Sequence, residues 1–146
     1  MAMLITSVSG FFALFLIAIG LTLPYVLRWQ ARRSGSDAAH VWGRIRVHSW
    51  IGYAVLVLVL VHMYISMGAG MARFTSTLGL NLATLGLLLI FLQLALGLNL
   101  TSADPIGRRV VRRVHFAVML GILAIVFLHL ALNSVLVGQL LQIAGI

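Results

Sequence analysis

The sequence contains no cysteine, no lysine and no glutamate. Its only carboxylate side chains are Asp37 and Asp104, and its only prolines are Pro24 and Pro105. Without cysteine there are no thiolate-held iron–sulfur clusters, no zinc–thiolate sites and no covalent haem attachment through C-x-x-C-H. Both carboxylates fall outside the long apolar runs, so no acid lies at membrane depth.

What fills the chain instead is apolar. Of 146 residues, 62% are hydrophobic and only 8% charged, and the mean hydropathy is +1.15. A soluble domain of this length cannot bury that much apolar surface, so the composition predicts a membrane protein. A helical span needs about 20 apolar residues. Four runs qualify, over 8–27, 47–67, 78–100 and 114–137. The expected fold is all-α, an integral membrane four-helix up-and-down bundle forming one domain over 1–146. The first run lacks a positively charged leader and is of spanning length, so it is expected to be a retained helix rather than a signal peptide. Short termini and three short connections leave no room for a separate soluble domain. Any catalytic site is then expected within the spans, at their ends or on another subunit.

All ten basic residues are arginine. Arg28, Arg32, Arg33, Arg44, Arg46, Arg108, Arg109, Arg112 and Arg113 flank the first and third connections, and only Arg73 lies in the second. The positive-inside rule then places connections one and three in the cytoplasm and both termini outside, in a prokaryotic inner membrane. Trp29, Trp42 and Trp50 gather at the same boundary, as an aromatic belt does. Topology accounts for this charge, so no nucleic-acid partner is expected.

The second run, VHSWIGYAVLVLVLVHMYISM, carries His48 and His62, fourteen residues apart. The fourth carries His115 and His129 at the same spacing. Fourteen residues is nearly four helical turns, so each pair lies on one face, about 21 Å apart along the axis. One metal cannot take both, because metal–nitrogen bonds are near 2 Å. Spans two and four run the same way through the membrane. Opposed faces therefore make an inner pair, His48 with His115, and an outer pair, His62 with His129. Ionisable residues at membrane depth are functional by default. Two imidazoles with no further protein ligand suit haem iron, whose porphyrin supplies the other four nitrogens. The reading is two stacked haem b groups with these four histidines as iron ligands. His40, beside Asp37 and Trp42, reads as an interfacial loop residue.

Porphyrins need room. Gly79, Ala83, Gly86, Gln93 and Gly97 form a small-residue stripe on the third span. Gly86 is expected near the outer pair and Gly97 near the inner one; close helix packing explains such a stripe equally well. Gly52 lies one turn from His48, and Gly10, Ala13 and Gly20 offer similar space on the first span. Arg44, Arg46, Arg112 and Arg113 stand near the inner pair as donors for haem propionates.

With His48–Gly52–His62 and His115–His129 on a four-span core, the chain resembles the di-haem membrane cytochromes b. It is also similar to ferric-reductase-like membrane domains and to small cytochromes associated with flavinylated electron-transfer proteins. The resemblance covers nearly the whole chain. It implies non-covalent haem b, bis-histidine ligation and transmembrane electron transfer. The Pro-Glu-Trp-Tyr quinol motif is absent, and no nucleotide or flavin domain is expected after the spans, so neither a quinol-oxidising site of that type nor a self-contained ferric reductase is expected.

The function expected is that of the membrane cytochrome subunit of a larger redox complex. Its partners would be membrane lipid and a flavoprotein, an iron–sulfur protein or another cytochrome. One alternative is a stand-alone quinone- or superoxide-reactive cytochrome b, with Gln93, Asn99, Ser102 and Asp104 as pocket residues. The other is a histidine-based proton or metal transporter, which the lack of intramembrane acids disfavours.

Overall fold

The computed structural model describes residues 2–35, 38–68, 77–102 and 104–133. They form four helices: α1 Ala2–Ser34, α2 Ala38–Gly68, α3 Thr77–Ser102 and α4 Pro105–Asn133. Each contains a stretch long and apolar enough to cross a membrane. In hydrocarbon every backbone N–H and C=O must be satisfied within the segment, and a helix does so.

The helices run further than the apolar runs alone indicate. α1 continues through Arg28, Arg32 and Arg33, and α2 is already helical at His40, Trp42 and Arg44. Arginine is a good helix former, so charge ends the membrane span without ending the helix. His40 is therefore on α2 and not in a loop. Gly35 closes α1 with φ of 59°, the left-handed conformation that glycine adopts without a Cβ penalty. Arg32 and Arg33 in the last turn complement the helix dipole. α4 starts well before residue 114 because Asp104 caps it. The Asp104 carboxylate accepts from Gly107 N–H at 2.7 Å, its carbonyl accepts from Arg108 N–H at 2.8 Å, and Pro105 occupies the first helical position. Asp104 is thus a helix cap. Positions 134–137 of the expected fourth span lie outside the described residues.

α1 packs closely along α2, and α3 along α4, as two antiparallel hairpins. Contact between the hairpins is sparser, chiefly between α2 and α3. The core is one belt with a residue from each helix: Ile17, Val55, Ile90 and Ile122. Leu16, Ile51, Leu89 and Met119 pack around it. Many other large side chains, such as Phe12, Phe15, Val57, Leu88 and Phe127, are exposed. An apolar exterior of this kind suits lipid, where helices associate through packing rather than water exclusion.

The two hairpins repeat each other. Ile17 and Ile90, Ala13 and Gly86, and Gly20 and Gln93 are each 73 positions apart on α1 and α3. His48 and His115, Val55 and Ile122, and His62 and His129 are each 67 positions apart on α2 and α4. Val55 and Ile122 sit midway between the histidines of their own helices, so the belt separates two histidine levels.

Candidate functional site

The arginine-rich end is termed inner and the opposite end outer. At the inner level, His48 of α2 and His115 of α4 come together with ring centroids 6.2 Å apart and ring planes at 68°. Two imidazoles on opposite sides of one metal place their centroids about 6.3 Å apart when each metal–nitrogen bond is about 2.0 Å. Both rings line a cleft between the hairpins, with a cavity volume of about 130 Å³ and partly open to the surroundings. All four helices contribute to its walls, which are mostly aliphatic; Ser49, Tyr53 and Gln93 are the polar side chains beside the imidazoles.

Glycines set the width here. A Cβ on Gly97 would stand 3.7 Å from His115 Cε1, and one on Gly52 would stand 3.3 Å from Leu94 Cδ2. Gly97 therefore lies against a histidine ring, while Gly52 lets α2 approach α3. The Gln93 amide nitrogen lies 3.1 Å from His115 Nε2. An amide nitrogen only donates, so in this bond Nε2 carries the lone pair and Nδ1 the proton. Nδ1 of His48 and Nδ1 of His115 are buried without a hydrogen bond.

At the outer level each histidine is held from behind. His62 Nδ1 lies 3.1 Å from the Thr6 carbonyl and 3.0 Å from Ser9 Oγ. The Ser9 hydroxyl itself donates to the Thr6 carbonyl at 2.9 Å. His129 Nδ1 lies 3.0 Å from the Gly79 carbonyl. A carbonyl only accepts, so these shorter contacts put the proton on Nδ1 and leave the Nε2 lone pair, with the Asn133 amide nitrogen standing further off, 3.3 Å from His129 Nδ1. Asn133 donates to the His129 carbonyl at 2.9 Å, and its side chain fills the space where a Cβ on Gly79 would sit. A Cβ on Gly10 would come within 3.1 Å of His62 Cε1, so α1 approaches the ring closely at a glycine. His62 and His129 are within electrostatic reach of each other.

Thr6 of α1 and Gly79 of α3 are thus the outer backbone acceptors. The backbone of Gly20 bears on His48 and that of Gln93 on His115 at the inner level. These positions are fourteen apart on both helices, matching the histidine spacing on the antiparallel neighbours.

The remaining expected residues fall as follows. Arg46, Arg112 and Arg113 are exposed at the inner end, within three residues of His48 or His115. The side chains of Arg44 and Ser102 lie outside the described residues, and Asn99 is exposed. Gly86 is buried and faces Ile125, where a Cβ would make contact at 3.4 Å. It lies seven residues from Gly79 and four from Ile90 of the belt, and its space is taken up against α4. Sequence reasoning missed Thr6, Ser9 and Asn133, and gave no account of the backbone of Gly20 and Gly79. Among the described residues no three histidine, aspartate or glutamate side chains converge, so each level offers two imidazoles and no further protein ligand of that kind. Comparison with protein-family models, with curated proteins and with solved structures finds no match.

Proposed function

We propose that this chain is the membrane cytochrome subunit of a larger redox complex, carrying electrons across the bilayer through two bis-histidine b-type haems. The observation that carries this reading is the 6.2 Å separation of the His48 and His115 rings on opposite walls of one cleft. The pair supplies two ligands, and a macrocycle with its own four nitrogens completes the set. His62 and His129 would hold the second haem. Their hydrogen bonds to backbone carbonyls support this, because ligating histidines characteristically fix their second nitrogen that way.

Haem iron supplies one-electron transfer, and the protein supplies orientation and electrostatics. His62, His115 and His129 present lone pairs, the glycines admit the rings, and Arg46, Arg112 and Arg113 offer positive charge for propionates. Arginine asymmetry supports a cytoplasmic inner end with both termini outside. Electrons would be exchanged with a flavoprotein, an iron–sulfur protein, another cytochrome or a quinone.

The test is the absorption spectrum of the purified protein, oxidised and reduced, with haem and protein quantified together. Two haems per chain, with a sharp Soret band and resolved α and β bands on reduction, are expected. A protein that stays colourless when expressed with ample haem and when titrated with hemin ends the reading.

A second reading has one observation in its favour. Gln93 and His115 form a hydrogen-bonded polar pair inside a mostly apolar cleft, the arrangement a quinone carbonyl needs. Quinol oxidation by the isolated chain, without partner subunits, separates a stand-alone quinone-reactive cytochrome from a conduit.

A further inference from the structure

All four helices line the inner cleft, but its exposed residues lie on one side. Among the described residues of its wall, three are exposed: Ser49 and Tyr53 on α2, and Leu98 on α3. Those contributed by α1 and α4, Gly20 and Met119 among them, are buried or half-buried. Both α2 and α3 continue past this level toward the inner end. The mouth therefore faces sideways between them. Its α2 rim lies within two turns of Arg46 and beside the exposed Trp50, whose ring stands edge-on to Tyr53 at 6.1 Å. Tryptophan and tyrosine placed in this way mark the headgroup level of a membrane.

The repeat of the hairpins shows why the opening is one-sided. An equivalent mouth would lie between α4 and α1. There Ser49, Gly52 and Tyr53 correspond to Phe116, Met119 and Leu120, and Gly97 and Leu98 to Pro24 and Tyr25. Serine is thus replaced by phenylalanine, and two glycines by methionine and proline. Phe116, Leu120 and Tyr25 are exposed but take no part in the cleft wall. Met119 does line the cleft, and its side chain occupies a position that is bare at Gly52. The two-fold repeat is broken at the residues that decide whether the wall has a gap.

We propose that the inner cleft is filled from the bilayer, through a single lateral mouth between α2 and α3, by a flat apolar ring compound dissolved in the membrane. The inference rests on the haem reading for the identity of that compound, although the mouth exists without any ligand. Behind the rim the wall is aliphatic apart from Gln93 and the two imidazoles, the lining that suits an apolar body fixed by a few polar contacts. Such a compound gathers in hydrocarbon, so the lipid presents it to the opening. The rim itself carries the Ser49 and Tyr53 hydroxyls, with Arg46 one turn inward of Ser49. A ring with an anionic edge, as haem has, can thus enter with its apolar body and leave that edge at the interface.

The chain has no cysteine, so one introduced thiol reports access without background. Gly20→Cys places it on the α1 wall, where the Cβ would make an ordinary 3.5 Å contact with Ile51 Cγ2. The full haem-free chain in lipid vesicles is treated with phenylmaleimide, which dissolves in the bilayer, or with a sulfonated analogue that stays in water. The apolar reagent is expected to label the thiol and the sulfonated one to lag far behind. Adding Ser49→Trp or Leu98→Trp, on opposite rims, should remove most of the labelling rate. Phe116→Trp and Tyr25→Trp, at the corresponding positions of the closed side, should leave it unchanged. All variants are compared at parental helicity, and two rim variants on different helices guard against one that misfolds. Labelling indifferent to both rim variants, or slowed equally from the closed side, overturns the proposal. So does faster reaction with the sulfonated reagent, or a folded protein whose thiol reacts only after unfolding. Hemin supplied in the same vesicles should enter the rim variants more slowly than the parent. Labelling that follows the rim upholds the mouth even if no haem is ever taken up, in which case only the haem reading fails.

Discussion

His129 Nδ1 lies 3.0 Å from the carbonyl oxygen of Gly79, fifty residues earlier in the chain. The bond joins the start of α3 to the last turns of α4 and fixes which nitrogen of the ring remains available. Its counterpart on the other hairpin joins His62 to Thr6. The histidines are thus positioned within their own hairpins, while each level is completed only across the two hairpins.

Single replacements should therefore sort by level and not by helix. His48→Ala and His115→Ala are each expected to remove one haem of two, the same one. His62→Ala and His129→Ala should remove the other. Haem-to-protein ratio and a redox titration of the four variants check this. Grouping of His48 with His62 would mean that both ligands of a haem come from one hairpin.

Gly10→Ala places a methyl group 3.1 Å from His62 Cε1, so the ring must yield by a few tenths of an ångström. The expected result is weaker binding or a shifted spectrum at the outer centre alone. The inner centre, nearly four turns away along α2, should keep its signature. Resolved low-temperature α bands distinguish the two.

Gly86 and Gly97 should respond differently to leucine. At Gly86 the added side chain meets Ile125 on α4, and overpacking costs about 1–3 kcal/mol of stability whether or not haem is present. At Gly97 the Cβ direction leads to the His115 ring, so loss of the inner centre is expected while the outer one survives. Thermal unfolding of haem-free protein, paired with haem content after loading, reads both effects.

The Gln93 amide occupies the His115 nitrogen that a metal needs. That bond must break on loading. A hydrogen bond of this sort contributes about 1 kcal/mol net, or about fivefold in affinity. Gln93→Leu is expected to tighten the inner centre by about that factor in a hemin titration. Weakened binding would instead assign the amide a supporting role in the loaded state.

Much of the fold is legible in the sequence because hydrocarbon imposes so few solutions. Run length and the scarcity of charge are enough to place four helices. Equal spacing is enough to bring His48 beside His115, since two parallel helices with one register have little freedom. The helix ends were less legible: the arginine segments look like connections by hydropathy, yet they propagate α1 and α2, and Asp104 reads as a pocket acid until its position before Pro105 is seen as a cap. Gly86 is ambiguous in the sequence because glycine serves packing and cofactor space alike. The carbonyls behind the histidines were hidden for a different reason. Every residue has one, and only a structure shows which of them meets a ring.

The belt of Ile17, Val55, Ile90 and Ile122 bears on what can travel between the two levels. A buried water needs two to four polar partners, and these four side chains offer none. Wetting from either end should stop at this layer, and with it any chain of hydrogen bonds along which a proton could hop. The middle of the protein is in that sense a dry septum. On the proposed reading, packed hydrocarbon between the two histidine levels suits a carrier of electrons better than a transporter of protons.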